Sequence, residues 1–415
     1  MVELNYNRLI STMEEQAQIG STGKKGEINR LAPSDELKEI YDWFISILKK
    51  EGLNVRIDEI GNIFARREGE DPDLAPILVG SHLDSHPYGG IFDGALGVVA
   101  AIELVRTLNE KNIRTKHPIE IVNWFKEESG QFGSGKVGSR VWAGLLDIEE
   151  AYQREESDGT TLKNELERIG YRGDTVASPQ NSYKAYYELH IEQAGNLNQN
   201  EKDVGIVTGT VGATRGVVTL TGQTNHSGGT RMFQREDALV AAADIILQVK
   251  RIANNVGERT VGTVGNISIE PNNRNAVPGE AKLTWEFRDP EEKNIESALQ
   301  MLLDEVELSA KRQNVSWTAE EVDRYKGVRF DSTSIDTVRK SVEELGYDGM
   351  NIFSGGGHDA QIITNVCDAG MIFAVNDSGR SHTAEEWTSW KNCYKGANTL
   401  ATTVLNEAKE LDRNA

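Results

Sequence analysis

The chain has 415 residues, too many for one ordinary hydrophobic core, so two domains are expected. Its composition, 38% apolar and 27% charged without a low-complexity tract, is that of a globular protein rather than a disordered or fibrous one. The 45 basic and 65 acidic residues leave a formal charge of −20, which argues against nucleic acid and anionic membrane as partners.

No apolar run approaches the roughly 20 residues of a membrane span. Met1-Val2-Glu3-Leu4-Asn5 carries neither the basic nor the apolar region of a signal peptide. The two cysteines, Cys367 and Cys393, form no C-x-x-C pair, so neither a disulfide framework nor a zinc knuckle is indicated. A cytoplasmic setting fits these features. An anionic substrate would need a local arginine to overcome the overall negative field.

In chain order, the spacing of Leu37, Ile40, Tyr41, Phe44, Ile45 and Leu48 predicts an amphipathic helix over 34–52. Ser34 suits its N-cap, Asp35 and Glu36 its first turn, and Gly52 the residue past its end. Short strands follow near 54–59 and 62–67, joined at Gly61-Asn62. The apolar run 76–80 predicts a buried parallel strand. A helix over 94–108 and a strand over 119–125 complete a βαβ unit, hence an α/β sheet. From 212 the order becomes strand 212–222, helix 237–255, strands 260–270 and 281–288, helix 291–312 and strand 315–322. That is the ferredoxin-like β-α-β-β-α-β order, a second domain inserted in the first. After about 325 the α/β rhythm resumes with a strand at 370–375. A final helix is expected from Thr383, where Thr383 and Glu386 match a capping box.

The residues that can carry chemistry sit at expected strand ends, where open α/β sheets bind ligands. His82 follows the apolar run 76–80, and Asp84 is placed to accept its second imidazole N–H. Asp93 lies in a glycine-rich loop that opens a helix. Glu127 and Glu128 follow the strand ending at Phe125, His190 ends the run 185–189, and His382 is read at a helix start. Each alone has an ordinary structural reading: a hydrogen-bonded loop histidine, a solvated acid pair, a turn aspartate. The glycine-rich loop matches neither phosphate-binding pattern. Only the combination is specific for a metal site. His117, before Pro118 in a polar loop, is read as a surface residue. His86 can line the pocket or pack in its loop, and it is not counted as a ligand.

Three motifs, Gly80-Ser81-His82-Leu83-Asp84-Ser85, Gly89-Gly90-x-x-Asp93-Gly94 and Glu127-Glu128-Ser129-Gly130-Gln131-Phe132, closely resemble the M20-type co-catalytic metallohydrolases. Four more narrow the resemblance: Glu188-Leu189-His190-Ile191-Glu192-Gln193, Asn275-x-Val277-Pro278-Gly279, Ser354-Gly355-Gly356-Gly357-His358-Asp359 and Gly379-Arg380-Ser381-His382. Together they look like the hydantoinase/carbamoylase branch, which holds N-carbamoyl-L-amino acid hydrolases, β-ureidopropionase and allantoate amidohydrolase.

The resemblance implies a catalytic α/β domain with a two-metal site, formed by 1–210 and 326–415. A ferredoxin-like α+β dimerisation or lid domain, 211–325, interrupts it. Asp93 would bridge two divalent ions, with His82 and His190 completing one site and Glu128 and His382 the other. In many M20 peptidases a carboxylate stands where His190 stands, so this histidine favours the amidohydrolase branch. Glu127 would be the general base, and Asp84 is counted with it among the catalytic residues, as the partner of the His82 ring. His226 would stabilise the oxyanion, often across a subunit boundary of a homodimer. Asn275 and Arg288 would bind substrate, with Arg288 clamping its carboxylate. Gln193, Gly357 and His358 would sit near the ureido group. Read without the family, Arg288 is a strand-end arginine in an ion pair. The donor set suits zinc first and also accepts manganese, cobalt or nickel. The implied reaction is hydrolysis of an N-carbamoyl-L-amino acid to amino acid, carbon dioxide and ammonia. Allantoate, N-carbamoyl-β-alanine and N-acyl amino acids are alternative substrates. A non-catalytic binding protein would be expected to have lost a ligand or the base, and none is lost.

Overall fold

In the computed structural model, which describes residues 2–408, two compact units form. One is built from the segments up to Thr208 and from Phe330 on; the other is Gly209–Arg329. Met1 and residues 409–415, the outermost parts of the expected 1–210 and 326–415 domain, lie outside the described residues.

The first unit is organised by a mixed sheet. Seven of its strands run in the order Asn54–Ile57, Ile63–Arg67, Ile119–Trp124, Ile77–His82, Ala185–Ile191, Ala369–Ala374 and Val204–Thr210, and Gly349–Ser354 pairs with the last of them. The four from Ile119–Trp124 to Ala369–Ala374 are mutually parallel and fully buried. Successive side chains of a strand point to opposite faces, and the burial follows that rule. Ile77, Val79, Ile119, Ile121, Tyr187, Leu189, Ile372 and Ala374 enter one apolar cluster. Leu78, Val122, Trp124, Tyr186, Met371 and Phe373 enter another. Each such side chain contributes about 1.5–3 kcal/mol on leaving water, so a one-residue slip of any strand would exchange the two cores at large cost.

Helices Ala95–Glu110 and Trp390–Ala408 cover the first face. Helix Asp35–Lys50 joins them, and Ser34 caps it by accepting the Leu37 N–H at 3.1 Å. Its buried face is Leu37, Ile40, Tyr41, Phe44, Ile47 and Leu48, and Gly52 follows its end with φ +76°. No helix among the described residues is long and apolar enough to cross a membrane.

The second unit has one antiparallel sheet, in the order Ser316–Tyr325, Gly212–Thr221, Glu280–Asp289, Val261–Glu270. Helices Ala238–Val256 and Glu292–Gln313 pack on one face, burying Val218, Leu220, Leu283, Trp285, Phe287, Ile245 and Leu302. The chain order is β-α-β-β-α-β. Beyond the Thr221/Glu280 end of this sheet the chain continues as a two-stranded ribbon, Asn225–His226 against Ala276–Val277.

The expected helix from Thr383 does not form: residues 383–389 are irregular, and the helix begins at Trp390. The Glu386 carboxylate is buried and accepts from Ser381 Oγ at 2.9 Å, so it cannot serve a helix N-terminus. The Trp387 carbonyl accepts the Asp377 and Ser378 N–H groups, which ties this segment into a loop.

Candidate metal centre

The parallel strands deliver their carboxyl ends to one place. His82 is the last residue of its strand and lies opposite Trp124, three residues before Glu127. Continuing the 77↔185 register sets His82 opposite His190 on the neighbouring strand. Their rings are 5.9 Å apart. Asp93 comes from the loop before helix Ala95–Glu110, where Gly94 turns the chain with φ +64°. A Cβ at Gly94 would lie 2.4 Å from the His82 ring, so only glycine lets Asp93 and His82 approach so closely. His382 comes from the irregular loop after strand Ala369–Ala374, with φ +57°.

Two groups of ligand-type side chains result. His82, Asp93 and His190 form one; Asp93, Glu128 and His382 form the other, and within each the ligand atoms lie within 4.8 Å of one another. Asp93 Oδ1 faces His190 Nε2 at 2.9 Å and His82 Nε2 at 3.6 Å, while Oδ2 faces His382 Nε2 at 3.6 Å. Glu128 Oε1 is 3.8 Å from His382 Nε2. Glu127 Oε2 is 3.9 Å from His82 Nε2, next to the first group and outside both.

The imidazole tautomers are set by the main chain. His82 Nδ1 is 3.0 Å from the Asp84 carbonyl and His190 Nδ1 is 2.9 Å from the Ile191 carbonyl. A carbonyl only accepts, so the proton is on Nδ1 and each Nε2 is turned to the cluster. This corrects the expectation for Asp84. Its backbone carbonyl holds His82, while its carboxylate, 3.5 Å from that ring, accepts the N–H groups of Glu127 (3.2 Å) and Glu128 (3.0 Å).

Charge is concentrated here. Burial would raise the Asp93 carboxyl, yet the His190 and His82 imidazoles hold it well below the usual range. Burial works to lower His190, yet the Asp93 carboxylate carries it up to about 8. His82 also rises well above its usual value despite burial, through Asp84 and Asp93. Glu128 goes up through burial and the carboxylates of Asp93 and Glu127. The buried Glu127 Oε1 and Glu128 Oε1 have no hydrogen-bond partner among the described residues. Buried acceptors left in this state are costly. A cluster of carboxylates and Nε2 lone pairs binds positive charge, and a dication competes with protons for it. The donor set therefore fits a pair of divalent ions.

Around the cluster, Gln193 Nε2 is 3.1 Å from both Asp93 Oδ2 and His382 Nε2. The buried His358 ring stands 4.5 Å from the His190 ring, with its Nε2 on Ser354 Oγ at 2.8 Å. Gly357 packs close to Lys136, whose Nζ is 3.9 Å from Glu127 Oε1. Lys136 was not singled out from the sequence, where a lone lysine among glycines and serine carries no signal. His86 stacks on His382, with ring centroids 4.5 Å apart. His117 is not a surface residue: it is buried, with Nδ1 2.8 Å from the Ala75 carbonyl.

In the second unit, His226 and Asn275 meet on the ribbon. The Ser227 N–H donates to the Asn275 carbonyl, and His226 Nδ1 accepts the N–H groups of Gly228 and Gly229 at 3.0 Å each. Arg288 is on strand Glu280–Asp289, paired with Glu286 at 2.6 Å. It lies opposite Ala213 and Val261, at the far end of the sheet from the ribbon.

A family model described as Peptidase family M20/M25/M40 matches residues 78–406. Over 406 residues the chain is 37% identical to an N-carbamoyl-L-amino-acid amidohydrolase of Rhizobium meliloti, covering 98% of this chain and 97% of that protein. It is 36% identical to the protein of that name from Paenarthrobacter aurescens, over 93% of each. The crystal structure of an amidase of the hydantoinase/carbamoylase family from Burkholderia multivorans matches with a TM-score of 0.92, at 37% identity over 98% of each chain.

Proposed function

The chain belongs to peptidase family M20/M25/M40 and to its hydantoinase/carbamoylase branch, and from that premise we propose that it hydrolyses N-carbamoyl-L-amino acids to the amino acid, carbon dioxide and ammonia. It is an amidohydrolase acting on linear C–N amide bonds. The observation that carries the site assignment is the split of Asp93: one carboxylate oxygen faces His82 and His190, the other His382. That split supports reading Asp93 as the residue that would be shared by two ions.

In this reading His82, Asp93 and His190 would hold one divalent ion and Asp93, Glu128 and His382 the other, with zinc the first expectation and manganese, cobalt or nickel compatible. Divalent ions held there would supply Lewis acidity toward the ureido carbonyl and would make water a better nucleophile. Glu127, buried beside His82 and outside both ligand groups, takes the water proton and returns it to the leaving nitrogen. Lys136, with Nζ 3.9 Å from Glu127 Oε1, helps orient the same carboxylate. Asp84 fixes the backbone of both glutamates. Gln193, Gly357 and His358 border the space where the ureido group sits, and Arg288 binds the substrate carboxylate.

Residues 1–210 with 326–415 are the catalytic domain in this account, and 211–325 a dimerisation and lid domain. Geometry within the second unit supports a homodimer. Arg288 and the His226–Asn275 ribbon are separated by at least the eight residue steps from Glu280 to Arg288, about 27 Å of strand. No small ureido acid spans that distance. If both ends serve catalysis, they serve different active sites, and one acts on the partner's substrate. A cytoplasmic setting completes the reading, in keeping with the free thiols of Cys367 and Cys393.

Glu127→Gln tests the role of the base. The metal-loaded variant should keep both ions and lose turnover by at least about a hundredfold. Unchanged turnover would remove Glu127 from the mechanism.

A further inference from the structure

The three imidazoles of the centre are not held alike. His82 and His190 have side chains only 1% exposed, and each ties its Nδ1 to a main-chain carbonyl. His382 is 43% exposed on its side chain and sits on left-handed backbone. Its contacts to Gln193, Asp93 and Glu128 all run through Nε2, the atom that faces the second ligand group. Its Nδ1 has no hydrogen-bond partner among the described residues. Rotation about its side-chain torsions is therefore not restrained by a hydrogen bond on the far side of the ring.

What lies against that ring is His86. The two imidazoles are nearly parallel, with a 14° interplanar angle and centroids 4.5 Å apart. His86 is itself fixed. Its Nδ1 donates to the Pro87 carbonyl at 3.1 Å, and its own carbonyl accepts the Gly89 N–H at 3.0 Å. The Gly89 carbonyl accepts the Ile28 N–H, so the loop is stapled to the segment 28–30. The preceding Ser85 is joined to Arg30 twice, N–H to carbonyl at 3.0 Å and Oγ from the Arg30 N–H at 2.9 Å. A ring on a rigid loop thus forms a wall against a ligand on an exposed one.

We propose that His86 is a positioning residue: its ring face holds the His382 imidazole in the plane that directs Nε2 at the site shared with Asp93 and Glu128. It is neither a ligand nor a catalytic residue in this account. The function of the wall requires a flat ring, not a titratable one. The inference rests on the two-ion reading of the Asp93 cluster. Contacts that orient a metal ligand change affinity by about 10- to 100-fold when removed. A stacking contact on an exposed ring belongs at the lower end of that range.

Zinc ion titrated into metal-free protein against a chromophoric chelator gives both stoichiometry and two affinities, independently of turnover. Wild type is expected to bind two ions per chain. His86→Ala should keep one affinity and weaken the other about tenfold. His86→Gln, which keeps a polar side chain but no ring, should repeat that loss and guards against a folding defect in the alanine variant. His86→Phe, which keeps a flat face, should bind both ions within about threefold of wild type. Wild-type affinities in the alanine and glutamine variants would overturn the inference alone, as would a phenylalanine variant as weak as the alanine one. Fewer than two ions bound to wild type would overturn the metal-centre reading, and the inference with it.

Discussion

Replacing Gly94 by alanine puts a Cβ 2.4 Å from His82 Cε1 and Nε2 and 2.5 Å from Cδ2. Ordinary carbon contacts need about 3.5–4.0 Å, so the ring must retreat by roughly 1 Å. It cannot do so freely, because Nδ1 is held at 3.0 Å by the Asp84 carbonyl. Retreat either breaks that bond or swings Nε2 away from Asp93. The φ of +64° at Gly94 adds about 1–2 kcal/mol for an L-residue, and overpacking about 1–3 kcal/mol. Together these make roughly 2–5 kcal/mol, or a melting temperature lower by about 5–15 °C for a unit of this size. Thermal unfolding, metal content after gel filtration and kcat would be measured together. The variant should be folded at 25 °C, hold fewer than two ions and turn over at least about a hundredfold more slowly. Gly170→Ala is the control. Its φ is +77° and no atom lies within 4 Å of the added Cβ, so it should show only the backbone cost, about 1 kcal/mol, and full metal content. Two tightly held ions and wild-type kcat in Gly94→Ala would refute the reasoning.

Other expectations follow from the same geometry. His190 is raised to about 8, so below that pH an incoming ion must displace its proton, and apparent zinc affinity should fall by about tenfold per pH unit for that proton. Chelator competition between pH 6 and 8.5 reads this directly; an affinity flat over the range would contradict it. Arg288→Ala should raise KM for carboxylate-bearing substrates by at least about tenfold, with kcat less affected. Unchanged KM and kcat would return Arg288 to a purely structural ion pair with Glu286.

The parts of the fold readable from the amino-acid order are those governed by local periodicity. The run 76–80 and the strand ends carrying His82, Glu127 and His190 follow from apolar strands stopping at polar residues. Ser34 and Gly52 act at the two ends of their helix because caps are local devices. The errors arise where a distant contact overrides a local pattern. Thr383 and Glu386 match a capping box, but Ser381 takes the Glu386 carboxylate and the helix waits until Trp390. His117 precedes a proline in a polar stretch, yet the Ala75 carbonyl and the backbone packed against Gly69 bury it. Asp84 was rightly placed beside His82, but which of its oxygens serves the ring depends on where Glu127 and Glu128 present their N–H groups. Lys136 meets Glu127 because the irregular connection between strand Ile119–Trp124 and helix Val137–Trp142 folds back on itself, and His86 meets His382 from a separate loop; spacing along the chain holds no sign of either.

The central claim is that the Asp93 cluster works as a two-ion centre for ureido hydrolysis. Its most direct test is the initial rate of metal-reconstituted protein on N-carbamoyl-L-amino acids, N-carbamoyl-β-alanine, allantoate and N-acetyl or N-formyl amino acids, each with and without chelator. The account predicts chelator-sensitive turnover that is fastest on an N-carbamoyl-L-amino acid and releases equal amounts of ammonia and free amino acid. Turnover that persists after complete metal removal, or that is confined to N-acyl compounds without a ureido group, would contradict it.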